Sequence, residues 1–227
     1  MEQIGEVLAR CQKQENTPSP RIIRDNPSNS MSLESDKKAQ GKDDLRRRLN
    51  ITSWDNTFEN FKPLKGSTES LRVFKQLASG KATWHMLMVY GLTGCGKSHL
   101  CEALSIALAT RKIYCAVTEW SEQVRLFKRW MRSEITDQYD VRFEQFRKST
   151  WLILDDVGMG TKGTEWEWSE LEDIVNYRYR NDLHTVVTTN LDLKLVPDRI
   201  VSRFRDAEKS RLVLNESGDY RPRKGVK

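Results

Sequence analysis

The sequence predicts a three-layer α/β/α fold built around a mainly parallel central sheet. Two observations carry this prediction. Short apolar runs alternate with stretches of helical length, and a glycine-rich phosphate-binding motif lies between the first run and the stretch that follows it. Runs that are apolar on both faces are typical of parallel strands, because helices cover such a sheet on each side.

The predicted strands are Met86–Tyr90, Lys112–Val117, Trp151–Leu154 and Thr185–Thr189. Helices are predicted in the intervals, over Ser98–Thr110, Trp120–Arg132 and Trp168–Arg180. We place this domain at residues 51–227, after a flexible N-terminal arm at residues 1–50 that is rich in Ser, Pro and charged residues. In the arm, Ile4, Val7, Leu8 and Cys11 have helical spacing. We expect a short amphipathic helix that either packs on its own domain or docks on a partner.

Composition excludes several classes of protein. The 227 residues contain no uninterrupted apolar run of the roughly 18 residues that a spanning helix needs, and the start, Met1-Glu2-Gln3, does not resemble a secretory signal. The four cysteines form no CxxC pair, so neither a zinc site nor a disulfide framework is predicted. We expect a reduced, cytoplasmic protein without a membrane segment. The net charge of +6 allows nucleic acid as a partner without requiring it.

The strongest motif matches GxxxxGK[ST] and comprises Gly91, Leu92, Thr93, Gly94, Cys95, Gly96, Lys97 and Ser98. It follows a predicted strand and opens a predicted helix, which is the context that a phosphate-binding loop needs. Glycines let the backbone N–H groups point at the phosphates, and the helix N-terminus adds its positive dipole end. The pattern predicts ATP as ligand, with Lys97 on the β- and γ-phosphates and the Ser98 hydroxyl on Mg²⁺.

Polar residues follow two of the other predicted strands. Asp155 is the expected Mg²⁺ ligand, directly or through water, and Asp156 is the candidate base for the attacking water or else a cap of the next turn. Asn190 follows the fourth strand. Its amide could position water against the γ-phosphate, or the Thr-Thr-Asn sequence could simply turn the chain.

Together these motifs resemble AAA+ ATPases of the DnaC/IstB type, which include helicase loaders and transposition helpers. The residues that carry the resemblance are Thr57–Phe61, Gly91–Leu100, Leu154–Gly158, Thr188–Leu191 and Asp198–Arg205. The resemblance implies a homo-oligomer with shared ATP sites and ATP-dependent assembly on DNA. Because few residues remain after Lys224, we expect little or no C-terminal lid domain. A DnaC/DnaI-like helicase loader would act on single-stranded DNA and engage a replicative helicase through its N-terminal arm, whereas an IstB-like transposition helper would act on duplex DNA.

The resemblance also implies roles for single residues. His99 adjoins the phosphate loop as in the family pattern and joins the predicted ATP-binding residues. Arg203 corresponds to the arginine finger that enters the neighbouring subunit's γ-phosphate site, with Arg199 and Arg205 as alternatives. Arg221 matches a second sensor that contacts phosphate, or belongs to a basic tail.

The helix predicted over Trp120–Arg132 combines an apolar stripe with four cations. Its apolar stripe, Trp120, Val124, Phe127 and Met131, is expected in the core. Its cations, Arg125, Lys128, Arg129 and Arg132, together with Trp130, could follow a single-stranded backbone and stack on bases.

Two alternatives from other classes are a P-loop kinase for a small molecule and an adaptor that uses ATP only as a switch. The kinase fits poorly, because Asn190 and Arg203 would have no role in a monomeric kinase.

Overall fold

The computed structural model describes residues 41–133, 136–158 and 163–220. Contacts divide the chain into two units, residues 1–42 and 43–227. Only residues 41 and 42 of the first unit are described, so the predicted arm helix lies outside the described residues, as does Arg221. In the second unit Leu49 and Ile51 are buried and begin the core. No helix in the described ranges is long and apolar enough to cross a bilayer.

The described helices are α1 (residues 41–49), α2 (Thr68–Ser79), α3 (Lys97–Thr110), α4 (Trp120–Arg132), α5 (Thr136–Lys148), α6 (Glu165–Arg180) and α7 (Asp198–Arg205). The strands are β1 (Met86–Gly91), β2 (Val117–Glu119), β3 (Trp151–Val157), β4 (His184–Thr189) and β5 (Ser210–Asn215). All pairings are parallel, and the strand order is β2-β3-β4-β1-β5. The predicted α/β class with a parallel sheet is confirmed.

Successive residues of β1 belong to different cores, as the alternation of a strand requires. Leu87 and Val89 pack with α2 and α3, in a cluster that includes Phe74 and Leu104. Met86 and Met88 pack on the other face with the residues of α4 to α7. Helices therefore cover both faces, which explains why the strand reads as a continuous apolar run.

The prediction for the second strand was wrong, because β2 begins only at Val117. Residues 111–113 instead complete the end of α3: the backbone N–H groups of Arg111 and Ile113 both donate to Leu108 O, and Lys112 has a φ of 60°. An apolar run just after a helix can thus form the C-terminal cap of that helix rather than a strand.

Helix α6 begins three residues before its predicted start at Trp168. The cause is a capping box: Thr164 Oγ1 accepts from Glu167 N, and the Glu167 carboxylate accepts from Thr164 N. Helices α1, α2 and α5 and strand β5 were not predicted.

Candidate functional site

The polar residues that the sequence singled out lie at the carboxyl edge of the sheet. The phosphate loop begins at Gly91, the last residue of β1. Asp155 and Asp156 lie near the end of β3, and Asn190 follows β4. Since β1 neighbours β4 and β4 neighbours β3, the strand order places Asn190 between the loop and the acidic pair. This crevice is where open parallel sheets bind their ligands.

Two glycines of the phosphate loop have conformations that side chains would disturb. Gly94 has a φ of 80°, and a Cβ there would overlap the Asp219 carboxylate. Gly96 has a φ of 90°, and its Cβ would lie 2.7 Å from Phe61 Cε2. The loop therefore needs glycine both for its left-handed backbone and for the close approach of neighbouring segments.

Lys97 is 6% exposed, and its ammonium donates hydrogen bonds to the loop and to Asn190, the residue after β4. It donates to Gly91 O at 2.7 Å, to Leu92 O at 2.9 Å and to Asn190 Oδ1 at 2.5 Å. The last contact connects the phosphate-binding lysine directly to the residue predicted to position water.

Asn190 also donates through Nδ2 to Asp156 Oδ1. Asp156 reaches it because the register of β3 against β4 shifts between Leu154 and Val157 and Asp156 has a φ of 58°. Such a conformation costs a non-glycine residue about 1 kcal/mol and is typical of functional sites. The bulge is held by Thr188, whose hydroxyl accepts from Asp156 N at 3.0 Å and donates to Asp155 Oδ1. Thr188 was not predicted as a site residue, although it stands in the same Thr-Thr-Asn sequence.

Asp155 and Ser98 both face the cleft and offer the oxygen donors that Mg²⁺ prefers. Asp155 is 8% exposed, and Oδ1 also accepts from Cys101 Sγ at 3.7 Å. Burial, together with the negative charge of Asp155, raises the pKa of the Cys101 thiol well above its usual range, so the thiol stays protonated and donates. One carboxylate and one hydroxyl, completed by phosphate oxygens and water, fit a Mg²⁺ ion carried by a nucleotide. The ion would neutralise charge on the phosphates.

The cleft has a volume of about 820 Å³, which suits a nucleotide. The phosphate loop contributes Thr93–His99, whereas Gly91 and Leu92 do not line the cleft. These two residues act through their carbonyl groups, which accept from Lys97, and the Leu92 side chain is 71% exposed.

The segment after β5 packs on the phosphate loop, which the sequence did not indicate. Asn215 Nδ2 and Ser217 Oγ donate to Cys95 O at 3.1 and 3.3 Å, and Tyr220 N donates to Gly94 O at 3.0 Å. Ser217 and Tyr220 also line the cleft. The loop is thus supported from the β5 side of the sheet.

Another wall of the cleft is formed by residues of the segment 52–64. His99 Nε2 lies 2.8 Å from Thr57 O, and its ring meets Phe61 edge to face at 5.2 Å between centroids. Glu102, which the sequence did not single out, is buried on α3 and accepts four hydrogen bonds from this segment. A carboxylate inside a mainly apolar helix was the signal that could have found it.

The arginines of α7 differ in their surroundings. Arg203 donates through Nε to Asn176 Oδ1 at 2.8 Å and lies 5.1 Å from the Tyr179 ring centroid. The Arg199 side chain is 82% exposed and forms a 3.4 Å ion pair with Glu172. Arg203 is therefore held on its own subunit, whereas Arg199 extends into solvent.

Helix α4 presents a basic stripe, defined here as Arg125, Arg129 and Arg132. These residues are exposed and follow the spacing of one helix face. Lys128 points elsewhere, into a 2.6 Å ion pair with Glu167. Trp130 is half-buried against the core rather than free for stacking.

The predicted apolar stripe of α4 is correct for Trp120, Val124 and Phe127 and wrong for Met131. The Met131 residue is 49% exposed, at the end of the helix and away from the sheet.

Comparison with known proteins decides the family. Residues 53–208 match the family model of the bacterial DnaA ATPase domain. The chain belongs to this family. The chromosomal replication initiator DnaA of Onion yellows phytoplasma is 25% identical over 182 residues, which are 75% of this chain and 34% of that protein. The chain thus spans about a third of the length of this DnaA relative.

Two solved structures share the fold. A replication initiator DnaA bound to AMPPCP and single-stranded DNA matches with a TM-score of 0.62 and 22% identity, over 74% of this chain and 52% of that chain. The DnaC helicase loader matches with a TM-score of 0.60 and 19% identity, over 72% of this chain and 98% of the solved one. The chain is a P-loop NTPase of the AAA+ type, and the predicted resemblance to DnaC-like proteins is confirmed.

Proposed function

We propose that this chain is an ATP-hydrolysing helicase loader of DNA replication, which assembles on single-stranded DNA and delivers a replicative helicase in the cytoplasm. One observation carries the enzymatic part. Lys97, Asn190 and Asp156 are linked by hydrogen bonds and line the same cleft as Asp155 and Ser98. This set contains a phosphate-binding cation, a carboxylate for the attacking water and ligands for Mg²⁺, which hydrolysis needs together.

The similarity in fold to a solved DnaC helicase loader supports a loader. The exposed basic stripe on α4 supports contact with a phosphate backbone, because guanidinium groups bind phosphates without reading bases.

Assembly into a homo-oligomer is part of the proposal. A guanidinium from α7 would enter the neighbouring subunit's γ-phosphate site and neutralise the charge that develops there. The sequence favours Arg203, and the exposed Arg199 and Arg205 are the alternatives. ATP turnover would then depend on assembly. Arg221 remains a proposed phosphate contact of the same subunit.

The experiment is an ATPase assay of the full chain alone, with single-stranded DNA and with duplex DNA, combined with co-purification of a hexameric replicative helicase. We expect single strands to stimulate turnover several-fold and the helicase to be retained. Retention should fall when Leu8→Asp breaks the apolar stripe of the arm and should persist in the matched variant Glu6→Gln. Stimulation by duplex DNA would instead support a transposition helper, and ATP binding without turnover would support an adaptor.

A further inference from the structure

Glu102 lies on the phosphate-loop helix α3, one turn beyond Ser98 on the same helix face. Its side chain lines the nucleotide cleft although the residue is only 5% exposed. A buried carboxylate needs hydrogen-bond donors or a cation to replace water. In the described part of the chain no cation forms an ion pair with it, and its charge is met by neutral donors.

The donors all come from the segment that follows α1. Thr52 donates through its backbone N–H at 3.0 Å and its hydroxyl at 2.8 Å, Ser53 N donates at 3.3 Å and Asn56 Nδ2 at 2.9 Å. Hydrogen bonds to an ionised acceptor are the strong kind. One side chain therefore anchors residues 52–56 to the helix that opens the phosphate site.

The anchored residues belong to the wall of the cleft that residues 52–64 form. Thr52, Ser53 and Asn56 line the cleft themselves, followed by Asn60 and Phe61. At the start of α3, His99 contacts Thr57, and Phe61 approaches Gly96 just before the helix. Contacts to this wall thus come from Gly96, the residue before α3, and from His99 and Glu102 on the helix. The wall and the phosphate loop are held by the same helix, so their separation is determined by it.

We propose that Glu102 is a positioning residue for the nucleoside part of ATP. It fixes the wall at residues 52–61 at the distance from the phosphate loop that lets one nucleotide touch both. The inference rests on the proposed ATP binding and adds a residue that determines affinity and base discrimination without touching the reacting atoms. Removing the anchor would loosen the wall while leaving Lys97, Asn190 and Asp156 in place. Ground-state binding would weaken, and the chemical step at saturation would not.

The test compares Glu102→Ala, Glu102→Gln and wild type by titration with a fluorescent ATP analogue and by steady-state kinetics with ATP and GTP. We expect Glu102→Ala to raise Kd and KM for ATP about 10-fold or more, with kcat at saturating ATP within about 2-fold, and to reduce the preference between ATP and GTP. Glu102→Gln keeps one oxygen acceptor and should recover part of the affinity. Glu170→Ala is the matched control, since Glu170 is a half-buried carboxylate that accepts from Tyr139 outside the cleft, and its KM should be unchanged.

Asn56→Ala tests the same anchor if Glu102→Ala does not fold, because it removes one donor and no buried charge. It should raise KM by about 3-fold at constant kcat. Unchanged KM and base preference in the folded variants, or a loss of kcat at constant KM, would overturn the inference. Absence of ATP binding by the wild-type chain would overturn the proposed function itself, which distinguishes the two failures.

Discussion

The ammonium of Lys97 and the side-chain carbonyl of Asn190 are joined by a hydrogen bond of 2.5 Å, although 93 residues separate them in the sequence. The same amide donates from its other end to Asp156. Asn190 therefore links the predicted phosphate-binding lysine to the candidate base. Binding and activation of water are thus connected through a single side chain.

Replacing the candidate base should separate binding from turnover. Asp156→Asn keeps the shape of the side chain and removes its charge, so ATP binding should stay within about 3-fold while kcat falls about 100-fold or more. Binding is measured by titration and turnover by phosphate release. Asp192→Asn, an exposed carboxylate just beyond Asn190, is the control and should leave both values unchanged. Normal hydrolysis by Asp156→Asn would remove Asp156 from the mechanism.

The α7 arginines can be separated by mixing subunits. Arg203→Ala and Arg199→Ala are each combined with Asp156→Asn, and ATPase activity is measured across mixing ratios. The variant that lacks a trans-acting finger should be inactive alone and regain part of its activity in the mixture, because one mixed interface contains both an intact base and an intact finger. The absence of rescue in both mixtures would exclude a shared site built with either residue.

The basic stripe of α4 should produce a salt-dependent affinity for single strands. Each phosphate contact that is lost lowers the slope of log K against log salt by about 0.7 for single strands. Arg129→Ala should therefore reduce the slope by about that amount, as measured by fluorescence anisotropy with a labelled oligonucleotide. Lys128→Ala is the matched control, because Lys128 is engaged with Glu167, and its slope should equal that of wild type. Affinity that does not change with salt would contradict a role in DNA binding.

Among the cations of α6, we expect substitution of Arg178 to reduce folding stability most. It is fully buried and donates to Thr185 Oγ1 and to main-chain carbonyls of Phe146, Ser149 and His184. Burial lowers its pKa to about 10, which still leaves it charged at neutral pH. Arg178→Met would leave these acceptors without a hydrogen-bond donor. It should lower the free energy of unfolding, measured in urea, by about 3–5 kcal/mol. The exposed neighbour Arg180→Met should change stability by less than about 0.5 kcal/mol. Equal effects of the two substitutions would contradict the structure.

His184 should make folding stability depend on pH. Burial lowers its pKa from 6.5 to about 4, its ring stacks on Trp151 at 4.1 Å, and its Nδ1 has no hydrogen-bond partner among the described residues. Below pH 6.5 the unfolded chain binds a proton at His184 that the folded chain does not. The free energy of unfolding therefore decreases as the pH is lowered from 6.5 to about 4. The loss should be of order 2 kcal/mol.

The loss of folding stability is measured by urea unfolding at pH 7 and at pH 4.5. His184→Phe keeps an aromatic stack without a titrating group, so it should show a smaller decrease than wild type. An identical pH dependence would assign the effect to other groups.

Much of the fold could be predicted from local patterns of apolar and polar residues in the sequence. The phosphate loop, the apolar run of β1 and helix α4 were predicted with nearly their observed bounds, because strand and helix periodicities depend on neighbouring residues. The apolar run after α3 was wrongly predicted as a strand. An apolar sequence alone does not distinguish a strand from residues that cap the C-terminus of a helix and pack on the core. Helix α5 was missed in a stretch with an interrupted apolar pattern and many charges.

The sequence by itself determined the chemistry of this protein: a phosphate loop, two adjacent aspartates and an asparagine, each after an apolar run. Only the tertiary structure decided which of these side chains meet. Strand order brings Asn190 between Lys97 and Asp156, and the bulge in β3 turns Asp156 towards it. Glu102 became a site residue for the same reason, since its donors lie about 50 residues away. Residue types and their local spacing can be read directly from the sequence. Contacts between residues about 50 or more positions apart depend on how the strands and helices pack.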